Sequence, residues 1–89
     1  MSELSKEIKL FAERMQFKLE KNRHKGGWDR CPIASLMNRA DEEKEEFIES
    51  CKDLDYEQAM NECADVANFW MMIHDKLMKR RESEAVDGK

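Results

Sequence analysis

Apolar residues recur at helical spacing along most of the chain. In the N-terminal part they lie three and four positions apart, at Leu4, Ile8, Phe11, Met15 and Leu19. This spacing draws one apolar stripe along a helix, because an α-helix completes a turn in about 3.6 residues. The pattern predicts a first helix from Ser2 to about Lys21.

A short polar segment interrupts this pattern, and a second helix follows it. The segment from His24 to Arg30 contains two adjacent glycines, which tolerate positive φ and end helices. Pro32 suits the first turn of the next helix, where a missing N–H costs no hydrogen bond. A second helix is therefore expected from Pro32 to about Lys52. Its apolar face consists of Ile33, Leu36, Met37, Ala40, Phe47 and Cys51, and Glu43 and Lys44 fall inside the same arc.

The longest helical pattern follows a turn around residue 55. Asp55 is the predicted N-cap, and Gln58 three residues later completes a capping box. The third helix is expected from Tyr56 to about Arg80, and apolar residues cover most of its circumference. Such a helix belongs in the middle of a bundle, and two other helices of one short chain cannot surround it.

The sequence thus predicts an all-α protein with three main helices per chain. We expect a four-helix-bundle core that is completed by homo-oligomerisation, as a homodimer or a homotetramer. Residues 1–81 form the predicted helical domain, and the polar residues 82–89 are expected to be a disordered tail.

The composition supports this fold class and excludes several kinds of partner. Charged and hydrophobic residues each make up 40% of the 89 residues, with one Pro and three Gly, which favours helices. The net charge is −4 and no basic stripe is present, so polymeric nucleic acid is not an expected partner. No apolar run approaches the length of about 18 residues that a membrane span needs, and a cytoplasmic location is expected.

Three cysteines occur, at Cys31, Cys51 and Cys63. Their odd number and their spacing match neither a disulfide framework nor a zinc ribbon, which suits a reducing compartment. We interpret them as small apolar core residues.

Two pairs of acidic residues interrupt the apolar faces of the second and third helices. Glu43 and Glu46 are three residues apart, and Glu62 and Asp65 repeat that spacing on the next helix. Buried carboxylates are costly unless a positive charge compensates them. Oxygen ligands from two facing helices favour a hard divalent cation, Mg²⁺ or alternatively Mn²⁺. The competing interpretation is a solvated acidic face that binds no metal.

These acids belong to longer motifs. The sequence has E-E-x-x-E at Glu42, Glu43 and Glu46, then E-x-x-D at Glu62 and Asp65 within ECADVANF, with N-x-H-K-G-G-W ahead of both. In this order the motifs resemble the MazG-like all-α nucleoside triphosphate pyrophosphohydrolases, and in particular the compact single-domain members often carried by phages. The similarity spans about residues 19 to 77.

The resemblance implies an assembly, a reaction and a set of ligands. Members of the family are helical dimers or tetramers in which helices from two chains complete a four-helix bundle. They hydrolyse a nucleoside triphosphate between the α and β phosphates to a monophosphate and pyrophosphate. By position, the Mg²⁺ ligands would be Glu43, Glu46, Glu62 and Asp65. Glu42 and Glu46 are the candidate catalytic residues. Glu42 can complete a second metal site or accept the proton of the attacking water, and it is equally well explained as an exposed acid.

Five further residues are candidates for contacts with the substrate. Trp28 offers a surface on which a base can stack, with His24 and Lys25 beside it, or it anchors the loop by packing. Asn68 can orient a phosphate or serve as an interhelical amide. Lys76 can reach phosphates or stabilise the C-terminal end of its helix.

Two other functions fit the same sequence. A phosphoribosyl-ATP pyrophosphohydrolase-like enzyme shares the resemblance and the metal. A non-catalytic helical oligomerisation module would leave the acids solvated and would not respond to Mg²⁺.

Overall fold

The computed structural model describes residues 3–22 and 26–87, without the side chains of residues 85–87. Within these ranges the chain forms three α-helices and no β-strand. They are α1 (Lys6–Lys21), α2 (Ile33–Lys52) and α3 (Tyr56–Asp87). The predicted all-α class with three main helices is confirmed.

The ends of the helices follow local hydrogen bonding. α1 begins later than predicted because the Ser5 hydroxyl accepts a hydrogen bond from the Ile8 N–H at 3.2 Å and caps the helix there. Asp55 caps α3 as predicted, accepting from the Gln58 N–H at 3.1 Å. The reciprocal half of the capping box is absent, because the Gln58 side chain instead donates to Glu62.

The turn between α2 and α3 closes through Leu54, whose φ is 58°. The Leu54 N–H donates to the Cys51 carbonyl at 3.1 Å, and the Asp55 N–H donates to the Ser50 carbonyl at 3.0 Å. These two bonds form a Schellman motif, which satisfies carbonyls at the end of α2. The motif fixes the direction in which α3 leaves the turn.

The predicted end of the third helix, at about Arg80, is wrong. α3 continues to Asp87, because the sequence contains no Gly or Pro from residue 56 to residue 87. Residues 82–87 of the expected tail are therefore helical, and residues 88 and 89 lie outside the described residues. The single helical domain stays a prediction.

α3 is the central element, and α1 and α2 each pack against it. Within the described chain α1 and α2 do not pack against each other. The core is small and consists mainly of short side chains, namely Leu36, Ala40, Ala59, Ala64 and Ile73. α1 has no buried residue.

Several apolar residues expected in the core are exposed. Cys51 and Cys63 lie at the surface and Cys31 is half-buried, so the interpretation of the cysteines as core residues is wrong for the single chain. Lys44 is exposed despite its place in the predicted arc, because within residues 3–22 and 26–87 α2 packs against α3 alone and buries a narrow stripe. Trp70 of α3 is 50% exposed.

None of the described helices combines the length and apolarity that crossing a membrane requires.

Candidate metal centre

Three carboxylates from two helices converge beside the small core. Glu43 of α2 and Glu62 and Asp65 of α3 each place one carboxylate oxygen within 4.8 Å of the other two. Oxygens that share one Mg²⁺ at about 2.1 Å lie at most about 4.2 Å apart, so small side-chain rotations bring this set into coordination range. We call these three residues the acidic triad.

Glu62 is the most buried member of the acidic triad, with 5% of its surface exposed. Its Oε1 accepts a hydrogen bond from the Gln58 amide, whereas its buried Oε2 has no donor. A buried carboxylate oxygen without a partner is destabilising, because it has lost water and gained nothing in return. A cation bound by the triad would satisfy this atom, so the residues present fit a metal ion.

The pKa of Glu43 also indicates that the acidic triad lacks a compensating positive charge. Burial, followed by the nearby carboxyl groups of Glu62 and Glu46, raises the pKa of Glu43 to about 9. The pKa of Asp65 is also raised, chiefly by burial, although Lys18 Nζ lies 3.5 Å from Asp65 Oδ2 and opposes the shift. The cluster therefore needs either a proton on Glu43 or a bound cation.

The two remaining predicted acids are placed differently. Glu46 is exposed but lines the same cleft as the acidic triad, and its charge acts on Glu43 and Asp65. Glu42 is exposed and does not line the cleft, because adjacent residues point about 100° apart around a helix. The metal ligation predicted for Glu46 and the catalytic roles of both residues stay predictions.

The triad opens into a cleft of about 560 Å³ bounded by all three helices and by residues 26–31. α1 contributes Lys18 and Leu19, α2 contributes Leu36 and Arg39, and α3 contributes Asn68, Phe69 and Met72. Gly26, with a φ of 88°, and Gly27 form part of its rim. The cleft combines acids, two cations and apolar surface, which is the mixture that a charged organic ligand needs.

Residues 26–31, which we call the loop segment, are held against α3 by polar contacts. The Trp28 Nε1–H donates to Asp75 Oδ2 at 2.9 Å, and Lys76 Nζ donates to the Asp29 carbonyl at 2.8 Å. Lys79 bridges Asp29 Oδ1 at 2.9 Å and Asp75 Oδ2 at 2.8 Å. Hydrogen bonds from Lys79 and Trp28 lower the pKa of Asp75.

These contacts locate the predicted substrate-binding residues. Trp28 lines the cleft and anchors the loop segment through its indole N–H, and its stacking on a base stays a prediction. Lys76 holds the loop segment and does not line the cleft. His24 and Lys25 lie outside the described residues.

Asn68 is buried and joins two helices. Its Nδ2 donates to the Met15 carbonyl of α1 at 3.0 Å, which matches the interhelical amide considered from the sequence. Its Oδ1 is buried without a donor, and the residue also lines the cleft. A ligand in the cleft that donates a hydrogen bond would satisfy this oxygen.

Two cations of the cleft did not emerge from the sequence. Lys18 pairs with Asp65, and the Arg39 guanidinium lies 5.4 Å from the centroid of the Phe69 ring. Arg39 precedes Glu43 by four residues, one helical turn, and that spacing is the signal that places both on one side of α2. For Lys18 the sequence carries no comparable signal, because its partner lies on another helix.

Comparison with protein families, with curated proteins and with solved structures finds no match to this chain. The similarity to the MazG-like enzymes therefore depends on the acidic motifs and the loop motif alone, and membership of that family stays a prediction.

Proposed function

We propose that this protein is a Mg²⁺-dependent nucleoside triphosphate pyrophosphohydrolase. The observation that carries the proposal is the unpartnered, buried Oε2 of Glu62 inside the acidic triad, at a cleft that also contains cations and an indole. A solvated acidic face, as expected for an oligomerisation module, would not bury this atom. The resemblance of the motifs to MazG-like enzymes supplies the reaction.

In this proposal the acidic triad holds the metal. Glu43, Glu62 and Asp65 supply oxygen ligands from α2 and α3, the donor type that Mg²⁺ prefers. When bound, Mg²⁺ neutralises charge on the triphosphate and polarises its phosphoryl oxygens. Lys18 and Gln58 orient the ligands, because they bind Asp65 and Glu62 respectively.

The reaction is hydrolysis at the α-phosphorus. The oxygen of a water molecule forms a bond to that phosphorus, and the bond to the oxygen bridging the α and β phosphates breaks. The bonding electron pair leaves with the bridging oxygen, so the products are a nucleoside monophosphate and pyrophosphate. Glu46 accepts a proton from the water, since it lines the cleft beside Glu43 and is open to solvent.

Trp28 provides a surface for the nucleobase. Its indole N–H is committed to Asp75, which fixes the ring while the side chain still lines the cleft. A fixed aromatic ring can stack on a base at low entropic cost, and stacking tolerates different bases. In this proposal Trp28 binds the substrate and the loop segment positions it.

We also propose that the chain acts as a homo-oligomer. The α1 helix presents Ile8, Leu10, Phe11 and Phe17 to solvent, and Phe17 is 58% exposed. Trp70 and Leu77 of α3 are exposed as well, and exposed apolar patches mark surfaces that another protein chain covers. A second copy would cover these faces and complete a four-helix core.

A substrate panel tests the reaction. The purified protein would be incubated with ribo- and deoxyribonucleoside triphosphates and with phosphoribosyl-ATP, in the presence of Mg²⁺, and pyrophosphate and orthophosphate would be measured separately. We expect pyrophosphate and a monophosphate from at least one nucleoside triphosphate. Release of orthophosphate alone, or no release from any substrate, would refute the proposed reaction.

A further inference from the structure

We propose that Arg39 binds phosphate oxygens in the cleft and receives the pyrophosphate part of the ligand. The inference rests on the proposed function for the identity of the substrate, whereas the anion site itself rests on the placement of Arg39. That residue was not among the candidates found from the sequence.

Arg39 and the Phe69 ring beneath it lie on the faces of α2 and α3 that carry the acidic triad. It precedes Glu43 by one turn of α2, and the ring beneath its guanidinium belongs to Phe69, one turn after Asp65 on α3. The guanidinium carbon is 5.4 Å from the ring centroid, within the range of a cation–π contact. The ring thus holds the cation beside the metal ligands without neutralising it.

Arg39 is also available to a ligand. Of the two cations described in the cleft, Lys18 pairs with Asp65, whereas Arg39 has no carboxylate partner among the described residues. Its side chain is open to solvent. An arginine that lines a cleft without a counterion is able to bind one, and its planar group of donors matches phosphate oxygens in a bidentate manner.

The charges of the cleft explain why such a residue is needed. Glu43, Glu46, Glu62 and Asp65 line it, so a polyphosphate would enter a site rich in negative charge. A divalent ion on the triad offsets part of this repulsion but acts where the carboxylates are. Arg39 supplies positive charge in the cleft apart from the carboxylates. Pyrophosphate has oxygens at both ends, so one end can meet the divalent ion and the other can meet the Arg39 guanidinium.

Calorimetric titration with inorganic pyrophosphate and Mg²⁺ tests the inference without relying on catalysis. The proteins compared are the wild type, Arg39→Gln, Arg39→Lys and the control Arg81→Gln, which removes an exposed arginine of α3 outside the cleft. Loss of a charge-assisted hydrogen bond predicts about tenfold or greater weakening in Arg39→Gln. Arg39→Lys should be intermediate, because it retains charge but not the bidentate geometry, and Arg81→Gln should match the wild type.

Stability measurements separate this effect from damage to the metal site. The rise in melting temperature on adding Mg²⁺ alone should be equal in Arg39→Gln and the wild type. If Arg39→Gln does not fold, the pyrophosphate affinity of Arg39→Lys is the test. Binding of pyrophosphate by the tested variant as tight as that of the wild type would overturn the inference.

The outcomes distinguish the inference from the proposed function. Hydrolysis by the wild type with unchanged pyrophosphate affinity and KM in Arg39→Gln would overturn the role of Arg39 and leave the reaction standing. Binding of pyrophosphate that depends on Arg39, without hydrolysis of any triphosphate, would support the anion site and refute the reaction. No binding of pyrophosphate by the wild type would overturn the anion site.

Discussion

Glu43 is the residue at which negative charge, burial and the proposed metal site meet. Its neighbours Glu62 and Glu46 are both acids, and the pKa of Glu43 is raised to about 9 from an ordinary value of 4.5. A carboxyl in such a place is protonated at neutral pH unless a cation replaces the proton. A metal ion bound by the acidic triad would therefore compete with the proton for the same carboxylate.

This competition gives a pH dependence of stability. Without divalent cations, the folded chain keeps a proton on Glu43 at pH values where the unfolded chain has lost it. The folded state thus binds more protons, and this contribution to stability falls as pH rises from about 4.5 towards about 9. Thermal melts in EDTA between pH 5 and 9 should show that Glu43→Gln removes this part of the decline and melts higher than the wild type at pH 8. A wild type and variant with parallel pH profiles would contradict the assignment.

At the scale of elements, the positions of the helices could be predicted well and their ends less well. α2 agrees with the prediction to within one residue, because Pro32 marks its beginning and the turn after Lys52 is polar. The start of α1 was predicted too early, because the apolar stripe already begins at Leu4 and apolar spacing does not identify the cap at Ser5.

The candidate site was predictable where it depends on spacing within one helix. Glu62 and Asp65 lie on one face of α3, and they meet Glu43 as the i,i+3 pattern indicated. The pairing of Lys18 with Asp65 and the contact of Lys76 with the loop segment join distant parts of the chain. Such contacts depend on how the helices pack, so periodicity does not determine them.

The turn between α2 and α3 contains a residue that is poorly suited to its backbone conformation. Leu54 has a φ of 58° and is exposed. The left-handed conformation costs a residue with a Cβ about 1 kcal/mol, and glycine adopts it without that strain. We expect Leu54→Gly to raise the free energy of unfolding by about 0.5–1 kcal/mol in urea titration, after its greater unfolded entropy is included. A less stable variant would show that the Leu54 side chain makes a stabilising contact.

The loop segment should loosen when its anchor on α3 is removed. Asp75 accepts from Trp28 and Lys79, so Asp75→Ala frees the indole. In a Trp70→Phe background, Trp28 is the single tryptophan, and acrylamide should quench its fluorescence more strongly after Asp75→Ala. The control Glu84→Ala changes an exposed acid of α3 and should leave quenching unchanged. Equal quenching in all three proteins would mean that Asp75 does not hold the ring.

At the scale of the whole molecule, the small core indicates that a single chain is incomplete. A chain of 89 residues buries only about two thirds of its unfolded surface, and here Phe17 and Trp70 remain exposed. We expect a dimer or a tetramer in sedimentation equilibrium at micromolar concentration. Phe17→Ser should shift the population towards monomer, because it removes an exposed apolar side chain of α1. A stable wild-type monomer would contradict the proposed assembly.

The proposed role of the acidic triad is to bind Mg²⁺ and to support hydrolysis to pyrophosphate. Its most direct test is pyrophosphate release from the best triphosphate by the wild type, Glu62→Gln and the control Glu84→Gln. Glutamine is nearly isosteric with glutamate, so Glu62→Gln should keep the helices yet lower the rate by orders of magnitude and lose the Mg²⁺-dependent rise in melting temperature. Glu84→Gln should match the wild type in both measurements. Equal rates of pyrophosphate release from Glu62→Gln and Glu84→Gln would show that the acidic triad has no part in the reaction.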